Sequence, residues 1–123
     1  MLLVVFSGEK SINKIKDYFT DSQFSDGKHS WNVEDIYDFA KKNGKPEEIP
    51  VSKLKANREY WQGNKDRMMN ADTKYPILII AEPEGFLSVA DGLNRLEKII
   101  TIEKKDTIPA YLVNKKDIID LAV

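Results

Sequence analysis

The 123-residue chain contains no cysteine, which excludes a disulfide framework, a thiolate metal site and a cysteine nucleophile. It has a single histidine, His29, in the polar stretch "SDGKHS". A multi-histidine metal centre is therefore excluded, and a lone loop histidine reads as solvated. No apolar run is long: "MLLVVF" gives way to "SGEK" after six residues, too short for a signal-peptide core or a membrane span and without a cationic leader. It reads as a strand, and the protein as cytoplasmic with no membrane partner. Charge of one sign is lacking too. The 19 basic and 20 acidic side chains nearly cancel, so the global field makes no case for a nucleic-acid coat or an anionic membrane surface. A glycine-rich fingerprint is missing and strand–helix alternations are few, which disfavours a doubly wound dinucleotide fold. There is no internal repeat and no low-complexity segment.

What is present suits one domain over residues 1–123, with an apolar share of 41% that is enough for one core. Residues 2–6 read as a buried strand. "SINKIKDYF" places Ile12, Ile15, Phe19 and Tyr18 on one face of a short helix, with Ser11 as its cap. After the turn "SDGKHS", the stretch "NVEDIYDFAKKNGKP" has a capping Asn32, an apolar stripe of Val33, Ile36, Tyr37 and Ala40, and a stop at Gly44 and Pro46. Tyr37 and Phe39 fall on different sides of this helix, so either one is a partner contact or both pack. "EEIPVSKL" reads as an extended piece leading into a polar, basic and aromatic region, with a loop through Gly63 and a short helix over Lys65 to Asn70. "YPILII" is a buried strand, "AEPEG" a turn, "FLSVA" its hairpin partner and "DGLNRL" the start of a helix. "TIPAYLV" alternates as a strand that Pro109 places at an edge or leaves donating little. "NKKDIIDL" follows as a terminal helix capped by Asn114. Mixed strands and helices with a hairpin define an α+β class.

Chemistry concentrates in "VADGLNRLEK". A cation in the first turn of a helix opposes the macrodipole by about 0.3 to 1 kcal/mol, so Arg95 requires an offsetting partner. One possibility is an anion cradled by Gly92, the first-turn amides and Arg95, with Asp91 as cap. The other is a structural carboxylate. A second stretch supplies Lys53, Lys55, Arg58, Lys65 and Arg67 with Tyr60 and Trp61 among them. Basic groups interleaved with aromatics track a phosphate backbone and stack bases; the alternative is a solvated loop anchored by one aromatic, with Trp61 half-buried. Among the carboxylates Glu59, Asp66, Asp72, Glu82 and Glu84, only Glu59 lies within that stretch, and none has ligand spacing.

The succession "IPVSKL", "YPILII", "VADGLNRLEKI" and "TIPAYLV" resembles the ParB/sulfiredoxin-like superfamily over residues 49 to 113. "ADTKYPI" leading into "DGLNRL" is similar to the small stand-alone ParB-like proteins of phages and mobile elements. The resemblance implies a mixed sheet with flanking helices, the core spanning 47–123 and an N-terminal strand and two helices spanning 1–46. It further implies a nucleoside triphosphate or diphosphate, with magnesium, bound at the box: Gly92 and Arg95 on phosphate, Asp91 orienting the box or holding the metal, and Asn94, Lys53 and Lys55 beside the nucleotide. Asp91 and Glu59 are then the candidate catalytic carboxylates for a weak phosphohydrolase or phosphotransferase. Asn94 stands where these proteins usually have His, and Leu93 where clamp-type members have a metal-associated Glu. The sulfiredoxin reaction is excluded by the lack of cysteine. Two other readings stand beside this one. The first is a DNA- or RNA-binding protein or nuclease using Arg58, Lys65 and Arg67. The second is a non-catalytic protein that binds and inhibits a host or defence protein.

Overall fold

The computed structural model describes residues 22–123; the strand read over 2–6 and the helix over 11–19 lie outside the described residues. A short hairpin comes first, β1 (Gln23–Ser25) paired antiparallel with β2 (Ser30–Asn32). Helix α1 (Val33–Asn43) follows, burying Val33, Ile36 and Ala40 and ending at Gly44, as its stripe and stop signal predict. The side chain of Asn32 does not cap it; its Oδ1 instead accepts from Gln23 Nε2 across the hairpin.

Four strands form the main sheet: β3 (Glu47–Pro50), β4 (Ile77–Ala81), β5 (Leu87–Asp91) and β6 (Thr107–Asn114), in the order β3-β6-β4-β5. β6 runs parallel to β4 and antiparallel to β3, while β4 and β5 form the hairpin around "AEPEG". The α+β class is therefore observed, with a mixed sheet. β6 is an interior strand rather than an edge. Pro109 is tolerated because β4 joins it only from Ala110 onward, which leaves one neighbour at the proline.

β4 is buried on both sides, with Ile77, Leu78, Ile79 and Ile80 all at 0% exposure. This is why it reads as an unbroken apolar run rather than an alternation. Leu78 and Ile80 join Trp31, Ile36 and Ile118 in a core under α1 and the hairpin. Ile77 and Ile79 join Leu54, Leu96, Ile99 and Ile108 in a second core on the opposite face. Helix α3 (Leu93–Lys98) covers that second face and runs on through a π-helical turn, Ile99–Glu103. Tyr37 and Phe39 both pack against the first core, so neither is a free contact.

Two segments differ from their sequence reading. "VSKLKANREY" is a 3₁₀ helix, Val51–Tyr60, with Leu54 and Asn57 turned inward. Asn57 sits on the outer edge of β5, its Nδ2 donating to Leu87 O and its Oδ1 accepting from Val89 N. One amide side chain thus takes the place of a neighbouring strand where edge groups would otherwise be unpaired. A short helix α2 (Lys65–Asn70) follows with the boundaries expected and with Asn64 as its cap. The C-terminal stretch is two 3₁₀ turns, Lys115–Asp117 and Ile119–Leu121, instead of one helix. Asn114 makes no capping bond, and Trp31 Nε1 donates to Ile118 O at 2.7 Å between the turns, which fixes the break.

At the carboxyl ends of the two parallel strands sits a buried ionic group. Lys115, directly after β6, is ion-paired with Glu82, directly after β4, and with Asp26 Oδ2 at 2.7 Å. Asp26 Oδ1 accepts the amides of Lys28 and His29, and Glu82 Oε2 accepts the Ser88 hydroxyl. The β1–β2 turn is thereby fastened to the main sheet. The Lys115 ammonium, followed by the His29 and Lys28 amides, holds the Asp26 carboxyl well below the usual carboxylate range.

A group depressed in this way contributes stability above its unfolded value of about 3.9 and loses that contribution as pH falls through and below it. Asp26→Asn should lower Tm at neutral pH and flatten the decline of Tm on acidification from about pH 5 to about pH 2; unchanged steepness in the variant would contradict the assignment. Lys104 closes the π turn in the left-handed region at φ 55°, with Lys105 N bonded to Ile99 O. Lys104→Gly should raise unfolding free energy by about 0.5 to 1 kcal/mol, the strain of a side chain there exceeding the entropy glycine loses. Chemical denaturation measures this directly.

Candidate functional site

The box begins with an irregularity in the β4–β5 hairpin. Leu78 pairs with Asp91 and Ile79 with Val89, so Ala90 is an extra residue on β5. Strict alternation would put Asp91 on the face of Leu87 and Val89, which pack on the second core. The bulge turns it instead toward α1, where its Oδ2 accepts from Tyr37 Oη at 2.8 Å and from Arg95 Nη2 at 2.9 Å. Asp91 is therefore not the helix cap. That position is Gly92, at φ 112°, and no side chain caps the helix.

Arg95 is bound by carboxylate and carbonyls. Beyond Asp91, its Nη1 donates to Tyr75 O at 3.1 Å and Pro76 O at 2.8 Å, and its Nη2 to Tyr37 Oη at 3.3 Å. The offset for a cation in the first turn is thus internal: an Asp four residues earlier, in the favourable orientation, plus the carbonyls leading into β4. Both terminal nitrogens are engaged, which leaves Nε as the remaining donor of the five. These bonds make Arg95 a tie that holds α1, β4 and β5 together at the box. Burial, followed by the Asp91 charge, pushes the Tyr37 phenol far above its ordinary range, so it acts here as a neutral hydrogen-bonding group.

The basic segment divides. Arg58 makes a two-pronged ion pair with buried Glu97 at 2.9 and 2.8 Å, and Trp61 is half-buried with its Nε1 donating to Asn94 Oδ1 at 2.9 Å. Both tie the 3₁₀ helix region to α3. Asn94 is thereby occupied as well. Lys53, Lys55, Lys65 and Glu59 are exposed and lie outside the lining of the cleft at the box. Arg67 is exposed and does line it.

That cleft has a volume of about 730 Å³ and is walled by all of Asp91, Gly92, Leu93, Asn94 and Arg95, with Arg67, Gln62, Tyr75 and a second carboxylate, Asp72, around them; Asp72 is paired with Lys74 at 3.7 Å. A second depression of about 650 Å³ shares Arg67, Tyr75, Asp91 and Arg95 and extends along α1 past Tyr37 and Tyr111. The Arg67 guanidinium has no carboxylate partner among the described residues, and Tyr75 is 58% exposed, with Lys74 Nζ 5.5 Å from its ring centre. The arrangement offers an uncapped helix start, one available guanidinium and an exposed aromatic face in a single concavity. Tyr37, Gln62 and Tyr75 were not identified from sequence as site residues. Only Tyr75 carried a signal, through its place in "ADTKYPI".

The fold and the site thus define an α+β domain with a polar cleft at one end of its sheet. No family model, no curated protein and no solved structure matches the chain.

Gly92 is required where it stands. A Cβ there would overlap Ile77 Cγ2 and lie 2.6 Å from Ile77 Cβ, both on the central strand. Gly92→Ala should cost about 2 to 4 kcal/mol, combining left-handed strain with overpacking against β4. A denaturation midpoint within error of the parent protein would show that the box relaxes freely.

Proposed function

We propose that the chain binds a nucleoside phosphate in the cleft at Asp91–Arg95 and holds it without efficient turnover. The observation that supports this most is that the whole box lines one cleft of about 730 Å³ together with Arg67 and Tyr75. In this reading the first-turn amides and Arg67 take the phosphate, and Tyr75 offers a stacking face for the base. Arg95 positions the loop. A magnesium ion would be held by Asp91 through Oδ1, the carboxylate oxygen left over by Tyr37 and Arg95, since such ions bind through one or two carboxylates and the substrate phosphates. Binding without turnover follows from what surrounds the cleft: Asn94 is engaged by Trp61, and Glu59 does not line it. Among the lining residues, no imidazole stands ready to move a proton. The resemblance of "ADTKYPI" and "DGLNRL" to ParB/sulfiredoxin-like boxes points to the same ligand class.

A thermal-shift panel of nucleoside mono-, di- and triphosphates, with and without magnesium, tests the proposal. At ligand about tenfold over Kd the protein should gain about 1.4 kcal/mol and several degrees in Tm. Arg67→Gln should abolish the shift while leaving the ligand-free Tm unchanged. No shift with any nucleotide would overturn the reading.

A further inference from the structure

The cleft at the box continues past the box. It shares Arg67, Tyr75, Asp91 and Arg95 with the depression along α1, so these four residues form the waist of one trough with a lobe on either side. Charge is distributed unevenly along it. At the waist two guanidinium groups face the single carboxylate of Asp91, which Arg95 already holds. Exposed Arg67 is thus an excess positive charge there. In the box lobe Asp72 is paired with Lys74, and Gln62 and Asn94 are uncharged. In the α1 lobe Glu34 and Asp38 outnumber Lys41. An anion is therefore favoured at the waist and at neither end.

The α1 lobe is also aromatic. Tyr37 and Tyr111 line it with their rings edge to face, 6.3 Å between centres and 83° between planes. The Tyr37 hydroxyl is engaged by Asp91 and Arg95, so the lobe offers ring surface together with the acceptors of Glu34 and Asp38. That combination suits an uncharged heterocycle bearing amino groups. Each concavity, at about 730 and about 650 Å³, falls within the range of roughly 300 to 1,000 Å³ of a complete small-molecule site. A nucleotide whose phosphate ends the molecule fills one lobe and leaves the other to water.

We infer that the ligand is a free dinucleotide, two nucleosides joined through phosphate, with the phosphate at Arg67 and one base in each lobe. This rests on the reading of the box cleft as a nucleoside-phosphate site and extends that site along α1. The second base binds as a tethered group, at high effective concentration, once the first half is in place. A nucleic-acid strand offers the same pair of bases, but its next phosphate would follow the base in the α1 lobe, where the carboxylates of Glu34 and Asp38 oppose it. A ligand that ends in a base at each side avoids that repulsion.

Calorimetric and NMR titrations of the full chain test this, with four ligand types in adenine and guanine forms: the mononucleotide, the 3′,5′-linked dinucleoside phosphate, the dinucleoside diphosphate, and a mixed-sequence single-stranded octamer. The better dinucleotide should bind at least about tenfold tighter than the mononucleotide of the same base. Amide shifts at Lys41 and Tyr111 should accompany the dinucleotide and not the mononucleotide. Tyr111→Leu, which keeps an apolar side chain and removes the ring, should bring the two affinities within about twofold of each other while leaving that of the mononucleotide unchanged. Mononucleotide binding with no gain from either dinucleotide overturns the inference and leaves the reading of the box cleft standing. Failure of every ligand overturns both. Tighter binding of the octamer assigns the trough to a strand and overturns the free dinucleotide. Shifts confined to the box contradict the second lobe whether or not the Tyr111 variant folds.

Discussion

Double-sided burial of β4 is the constraint from which the architecture follows. Four consecutive side chains at 0% exposure contribute about 6 to 12 kcal/mol at about 1.5 to 3 kcal/mol each, comparable to the net stability of a whole domain. A strand so apolar needs cover on both faces and a hydrogen-bonded neighbour on both edges. The remaining described elements provide these. β6 and β5 flank it, α1 and the small hairpin cover one face, and α3 with the 3₁₀ helix covers the other. The close approach of Gly92 to Ile77 belongs to the same constraint, because α3 begins against the first residue of β4.

Elements governed by local pattern were legible in the sequence, and those governed by distant partners were not. "YPILII", the hairpin after it, the stripe of α1 and the short α2 each carry their own signal, and each stands where that signal places it. "VSKLKANREY" has no helical stripe because a 3₁₀ helix eclipses every third residue and buries only Leu54 and Asn57. Asn57 contacts Leu87 and Val89, about thirty positions away, and no pattern in the neighbouring residues announces that. The terminal "NKKDIIDL" has helical spacing, yet the bond from Trp31 to Ile118 overrides it at one residue.

The same distinction decides the box. Its residues share one cleft, as their spacing suggests. The partner of Arg95 was open between anion and carboxylate, and the geometry answers carboxylate, through a bulge at Ala90 that redirects Asp91 toward Tyr37. Nothing in "VADGLNRL" marks that bulge. It is a property of how β5 pairs with β4, and it converts the most conspicuous cation of the motif into a fastening. The guanidinium left without a carboxylate partner in the cleft is Arg67, which the sequence groups with a nucleic-acid surface, and the main-chain amides beside it have no sequence signature.

The near-neutral composition conceals a polarity along the sheet. At the start of β4 the available groups are an uncapped helix start and Arg67, and the two lining carboxylates, Asp91 and Asp72, are paired with Arg95 and Lys74. At the end of β4, two carboxylates share Lys115 and a third stands beside them. The net charge of −1, summed over 19 basic and 20 acidic side chains, shows neither local arrangement. Local fields of this kind, rather than net charge, select ligands at close range.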